Sequence, residues 1–182
     1  MNPQIEKLYQ ISLKEERRII GLMSGTSLDG LDIALCRIEH VGKSTKIHLE
    51  KFVTMDYEDD FRTRVRSVFA QRHIDQQLLS GLHAYIGITH AKLINTALQQ
   101  WNISSTAIDC IASHGQTVYH APQSLTKDPN WPNSTLQIGD GDHIAVHTSI
   151  ITISDFRQKH IAAGGEGAPL AAYGDYLLFS HP

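Results

Sequence analysis

The stretch Gly21–Gly30, GLMSGTSLDG, decides how the whole chain is read. An apolar run leads into Ser24, Gly25, Thr26 and Ser27. An Asp29–Gly30 pair then closes the stretch before a second apolar run starts at Leu31. Such a segment packs poorly into a core. Gly25 and Gly30 can take positive φ, and Thr26 and Ser27 can donate hydrogen bonds. Two readings stay open on the residues alone. One is a plain hairpin turn. The other is a cradle whose backbone N–H groups face phosphate, with Asp29 or Asp32 holding the hydration shell of Mg²⁺. It is not a Walker A loop, because the Gly-Lys-Ser/Thr signature is missing and a strand follows where a helix should.

Working outward, Arg18–Ser24 and Leu31–His40 read as β-strands, and KIHLEKFVTMDY (46–57) alternates as a third. The connections are short, which predicts an antiparallel meander. The period then changes. Phe61, Val65, Val68 and Phe69 mark an amphipathic helix with acids in its first turn. Asp75 is placed to cap a longer helix reaching about Trp101, roughly 40 Å if unbroken. AIDCIASHGQT (107–117) reads as a buried strand ending at His114, and IITISDFR (150–157) as another buried strand. Residues 123–135 read as a loop, and a strand, turn and helix opened by Asp140 or Asp142 follow. A Gly-rich loop over 162–169 leads into a final helix. Residues 1–17 form an arm or short helix. The order β-β-β-α-(α)-β-α-β-loop-α describes an α/β, ribonuclease-H-like (actin/hexokinase-like) lobe. It is a three-stranded antiparallel meander extended by further strands, with helices on both faces. A Rossmann sheet would start β-α-β.

Composition excludes several classes. With 182 residues the chain can bury a real core. A net charge of −3 and a pI of about 6.4 draw it to neither nucleic acid nor anionic lipid. The longest basic cluster, KEERR (14–18), is broken by two glutamates and reads as a solvated face. Cys36 and Cys110 lie in apolar runs without metal-ligand spacing, as free thiols of a reducing compartment do. No apolar run approaches the ~20 residues needed to span a bilayer, and the polar N-terminus is no secretory signal. The expected location is cytoplasmic.

Three further polar clusters punctuate the apolar runs. In His114-Gly115-Gln116-Thr117, Gln116 and Thr117 can bond sugar hydroxyls, and His114 can orient a ligand or act as a general base; a polar turn is the plain alternative. Asp155 and Arg157 suit a polyol or carboxylate ligand, or form an ion pair at a loop root. Gly164–Pro169 (GGEGAP) lets a substrate approach the backbone, or is merely a tight connection. His83 and His90, seven apart on the long helix, read as surface residues.

Taken together, GLMSGTSLDGLDIAL, SHGQTVYH, TLQIGDGDHIA, DFR and AAGGEGAPL resemble, in order and spacing, the anhydro-N-acetylmuramic acid kinases. The resemblance covers about Ile19 to Pro182. It implies that the bend is the first ATP-phosphate loop of an actin/hexokinase-type kinase, carried over as Gly25, Thr26, Ser27, Leu28, Asp29, Gly30, Leu31 and Asp32, with Asp29 toward Mg²⁺. It implies ATP as co-substrate and an anhydro amino sugar as ligand. The reaction would convert 1,6-anhydro-N-acetylmuramic acid, ATP and water to N-acetylmuramic acid 6-phosphate in peptidoglycan recycling. Two positions depart: the family usually has Asp where His160 stands and Gln where Glu166 stands.

Family chains are about twice as long, and their second phosphate loop, adenine pocket and general base are expected beyond the position of Pro182. Residues 18–182 are therefore expected to form an N-terminal lobe, inactive alone. An apolar patch and an open sheet edge are expected where the missing lobe or a second copy would sit, hence a tendency to form homodimers. A non-catalytic half-fold that binds an amino sugar or a partner chain is the alternative.

Overall fold

The computed structural model describes residues 2–180, so Met1 and the expected boundary at residue 182 lie outside the described residues. In chain order the elements are α1 (Pro3–Leu13), β1 (Glu16–Ser24), β2 (Gly30–Glu39), β3 (Lys46–Asp56), α2 (Asp59–Arg66), α3 (Gln76–Trp101), β4 (Cys110–Ala121), α4 (Gln123–Thr126), β5 (Ser134–Ile138), α5 (Gly141–Thr148), β6 (Thr152–Ser154), α6 (Phe156–Ala162) and α7 (Ala171–Phe179). The strands form one mixed sheet in the order β3-β2-β1-β4-β5, with β6 also paired to β4. β1, β2 and β3 are the expected antiparallel meander. β4 lies parallel to β1, and β6 parallel to β4.

Alternation assigns the two faces. Ile20 and Leu22 of β1, Leu31, Ile33 and Leu35 of β2, and Ile111 of β4 point to one side and are buried. Against them pack Phe61 and Val65 of α2, Ile86 and Ile94 of α3, and Ile144 of α5, one contiguous core. Helix α3 carries the face because Asp75 caps it, accepting a 2.8 Å bond from the Leu78 N–H, and because neither Gly81 nor Gly87 breaks it. Gly87 has a positive role. A Cβ there would stand 2.5 Å from the Asp140 carbonyl oxygen, so glycine is what lets α3 approach the start of α5. On the opposite face α6 sits over β4, where Arg157 meets the His114 ring. Helices therefore flank both sides of an α/β sheet.

Much of that second face is open. Phe52, Ala34, Gly21, Ala112 and Ile153 lie side by side across five strands. The two outer members are 55% and 46% exposed. β3 is an edge strand. The expected apolar patch and open edge are thus visible.

Four expectations are corrected. β4 does not stop at His114; Gly115 takes φ +72°, and beyond it the strand turns to pair antiparallel with β5 as far as Ala121. β6 is short and largely exposed rather than buried, because β5 takes the neighbouring length of the β4 edge. α2 ends at Arg66, and Val68 and Phe69 belong to the turn after it. The loop after β4 contains a single helical turn, α4.

Candidate functional site

The parallel segments of β1, β4 and β6 all end along one side of the sheet. Ser24 ends β1 and is paired in register with Gln116 of β4. Ser113 of β4 is paired with Ser154, the last residue of β6. Ligands of α/β sheets gather at such edges. Two concave features lie there.

The first is the Gly25–Gly30 bend. A Leu28 N–H to Gly25 carbonyl bond of 3.2 Å closes a tight turn, and Thr26, Ser27 and Asp29 stand exposed on it. Leu28 is 2% exposed and plugs the turn into the core. The conformational assignment from sequence is corrected here. The residue with positive φ is Leu28, at 60°, and neither Gly25 nor Gly30 uses that region. Gly30 is needed for a different reason: a Cβ there would lie 2.6 Å from the Met55 carbonyl oxygen of β3. Leu31 is buried on β2. Asp32 accepts a 2.6 Å bond from the Thr54 hydroxyl, whereas the Asp29 side chain has no protein hydrogen-bond partner among the described residues. Of the two aspartates, Asp32 is thus engaged with β3, and Asp29 is not. A lone exposed carboxylate beside two hydroxyls fits Mg²⁺, which keeps several waters and takes few protein ligands. No group of three or more acidic, histidine or cysteine side chains placed to hold a metal occurs among the described residues.

The second feature is a cleft of about 260 Å³ between β4, β6 and the N-terminus of α5, lined by Ser113, His114, Gln137, Asp140, Asp142 and Asp155, among others. Its lining carboxylates face no lining Lys or Arg. Ser113 Oγ and Gln137 Oε1 are buried with no hydrogen-bond partner among the described residues, and an unpaired buried polar atom is costly unless a ligand or water meets it. Asp140 caps α5 through a 2.9 Å bond from the His143 N–H. Burial pushes its carboxyl up, but bonds from the His143 side chain and backbone, with His83 nearby, outweigh this and leave it below the usual range. His83 is not a bystander: Gly139 N–H donates to its Nδ1, and its Nε2 lies 3.3 Å from an Asp140 carboxylate oxygen. Asp155 holds φ +61° at the cleft mouth with an exposed side chain. Spare hydroxyl and amide oxygens suit the hydroxyl and amide groups of a ligand, and a carboxylate on that ligand would point away from Asp140, Asp142 and Asp155.

The remaining residues singled out from sequence occupy supporting positions. Arg157 does not pair with Asp155. Its Nε donates to His114 Nε2 at 2.8 Å, and its Nη1 to the Gly167 carbonyl at 2.8 Å, so it ties β4 to the Gly-rich loop. His114 Nδ1–H therefore donates to the Gly115 carbonyl at 2.9 Å. Burial is the main cause that holds this histidine below its ordinary pKa, with Arg157 adding in the same sense. Both ring nitrogens are engaged. Gln116 is fully buried and faces the bend: its Oε1 accepts from Ser24, and its Nε2 donates to the Gly25 and Thr117 carbonyls. Thr117 accepts from Gln137 and, with Thr26, lines a neighbouring hollow. His160 accepts a 3.1 Å bond from Gly167 N–H and sits beneath Gly165, while Glu166 is exposed. Ser113, Gln137, Asp140 and His83 were not singled out as ligand residues from sequence. The one signal for Asp140 was its position before a helix, which reads as a cap.

The chain matches a family model described as anhydro-N-acetylmuramic acid kinase over residues 17–182. It is similar to anhydro-N-acetylmuramic acid kinases of Pseudoalteromonas atlantica and Pseudoalteromonas translucida, each 57% identical over 180 residues. These matches cover 99% of this chain and 45% of each relative. The similarity to that of Bacillus cereus is 40% over 164 residues, covering 90% of this chain and 42% of the relative. The chain thus spans less than half the length of these curated relatives. A solved structure of CasPhi-2 (Cas12j) bound to crRNA aligns at a TM-score of 0.21 and 10% identity, over 88% of this chain and 26% of that one, which is too weak to bear on fold or function.

Proposed function

The chain belongs to the anhydro-N-acetylmuramic acid kinase family, and from that premise we propose that it forms the lobe of an actin-like, ribonuclease-H-like kinase that faces both nucleotide and sugar. The reaction is ATP-dependent opening and phosphorylation of 1,6-anhydro-N-acetylmuramic acid to N-acetylmuramic acid 6-phosphate, in the cytoplasm. The observation that carries this reading is the convergence of β1, β4 and β6, whose parallel segments bring a hydroxyl-bearing bend and a carboxylate-lined cleft to one side of the sheet.

In this reading the bend faces the nucleotide phosphates. Thr26 and Ser27 donate hydrogen bonds to them, and Leu28 keeps the turn from moving as charge shifts. Mg²⁺, when bound with nucleotide, spreads and neutralises phosphate charge, and Asp29 would hold it. The cleft takes the sugar: Ser113 and Gln137 offer their unpaired atoms to its hydroxyl and amide groups, and Asp155 accepts from a hydroxyl. Phosphoryl transfer depends on positioning more than on covalent chemistry by the protein, and a lobe can supply half of that positioning. The sheet order, with an antiparallel second strand and parallel β1, β4 and β6, supports the actin-like assignment.

The test is a titration of ¹⁵N-labelled chain with Mg·ATP and, separately, with the anhydro sugar. Nucleotide is expected to move the Thr26, Ser27 and Asp29 amides, and sugar those of Gly139, Gly141 and Asp155. ATP turnover by the chain alone is expected to be nil, and to appear when the remaining length found in its relatives is supplied. Sugar shifts confined to the bend would overturn the assignment of the two features.

A further inference from the structure

Four buried side chains connect helix α3 to the bend, and their hydrogens can run in only one direction. Gln116 Nε2 lies 3.4 Å from the Gly25 carbonyl and 3.2 Å from that of Thr117, so the amide nitrogen must be there and Oε1 must face Ser24. Oε1 can only accept, which uses the Ser24 hydroxyl proton. Ser24 Oγ then accepts from the Tyr57 hydroxyl at 2.8 Å, which uses that proton too. His90 Nε2, 2.9 Å from the Tyr57 oxygen, is left to donate, and its Nδ1 is buried without a partner among the described residues. His90, Tyr57, Ser24 and Gln116 are 1%, 3%, 2% and 0% exposed, so no water competes along the way. The chain ends on the Gly25 carbonyl, the same oxygen that accepts the Leu28 N–H and closes the turn.

We infer that His90 and Tyr57 are positioning residues for the bend, fixing through Ser24 and Gln116 the turn that presents Thr26 and Ser27. Bonds aligned head to tail in a dry interior reinforce one another, so the turn inherits the rigidity of α3. That helix also sets the cleft. His83, Gly87 and His90 stand at i, i+4 and i+7 on one face, and the first two meet Asp140 and the start of α5. One helix thus holds the two concave features in register, with Gly87 and His90 buried against the rest of the fold and the exposed His83 lining the cleft. The functional weight of this inference rests on the bend's reading as the nucleotide-facing element.

Native-state amide exchange on this chain tests it, with Tyr57→Phe removing one hydroxyl and nothing else. The Leu28 amide is expected to exchange about tenfold faster or more in the variant, with Ile33 and Ile111 amides unchanged within about twofold. Ser24→Ala breaks the same chain from the other side and should loosen Leu28 alike. The double variant should exchange no faster than the faster single one, since the two act through one path. Imidazole ¹⁵N spectra of the unsubstituted chain should show His90 as the Nε2–H tautomer. An unchanged Leu28 rate, uniform acceleration across the sheet, additive effects in the double variant, or an Nδ1–H tautomer would each overturn the inference. If Mg·ATP moves no bend amide while Leu28 responds as expected, the nucleotide reading fails and the positioning role stands; the reverse pattern sinks the positioning role alone.

Discussion

The bend after β1 and the Gly-rich loop after α6 are both short, both contain glycines, and both approach the same edge of the sheet, yet they are held by different means. The bend is secured from inside, by Leu28 in the core and by the buried chain from His90 to Gln116. The loop is secured from outside. Its ties are Arg157 to the Gly167 carbonyl, the Gly167 N–H to His160 and the Asn133 amide to the Gly165 carbonyl. It runs into α7, whose Tyr173, Tyr176 and Phe179 are 67%, 61% and 72% exposed. The difference teaches what each can do. A turn plugged into a core presents fixed donors, whereas a loop tied by surface side chains opens locally at low cost.

The largest expected effect breaks the internal plug. Leu28→Ala should lower unfolding free energy by about 4 kcal/mol, the upper part of the range for buried leucines, because the turn cannot collapse into the void. Urea denaturation measures this. A loss under about 1 kcal/mol would mean that the plug does not anchor the bend.

The next sharpens the contrast through pH. Burial holds His90 neutral, its pKa lowered to about 4 from an ordinary 6.5. Between those values the unfolded chain binds the extra proton and the folded chain does not, so stability must fall as pH drops from 6.5 toward 4. The expected loss is on the order of 3 kcal/mol, and His114, shifted down mainly by its own burial, adds in the same sense. Bend amides should lose protection in this window, whereas loop amides should keep the protection they have at neutral pH. His90→Gln should flatten the slope; an unaltered slope in that variant would assign it to other groups.

Much of the architecture was legible from patterning, and the reasons are local. Alternation along β1 to β3, the periodicity from Leu78 to Trp101 and the Asp75 cap each depend on neighbours a few residues away. What escaped depends on contacts distant in sequence. The continuation of β4 past Gly115 requires β5 as a partner. The buried state of His90 requires Tyr57, 33 residues earlier. Gln116 reads as a ligand residue until Ser24, 92 residues away, is seen to occupy it. The cleft followed the same rule. Asp155 was visible as a polar residue at a strand end, but Ser113 and Gln137 become site residues only because the fold leaves their oxygens without partners.

The smallest expected effect falls on the externally tied loop. At Gly165 an added Cβ would stand within 2.5 Å of three atoms of the His160 ring, closer than any atom can stay. The obstacle is a side chain at the surface, and Gly165 does not use positive φ. His160 can therefore swing away, giving up the Gly167 N–H bond but leaving Arg157 in place. Gly165→Ala should cost under about 1 kcal/mol while raising amide exchange across Gly164–Gly167. Gly30→Ala meets a similarly short contact, 2.6 Å, but the atom opposite is the Met55 backbone oxygen, which cannot swing. Equal costs for the two alanines would erase the distinction between a bend held by the core and a loop held by its surface. A cheap Gly165→Ala beside a costly Gly30→Ala would show that what each glycine faces, and not how tightly, decides which of the two segments can yield.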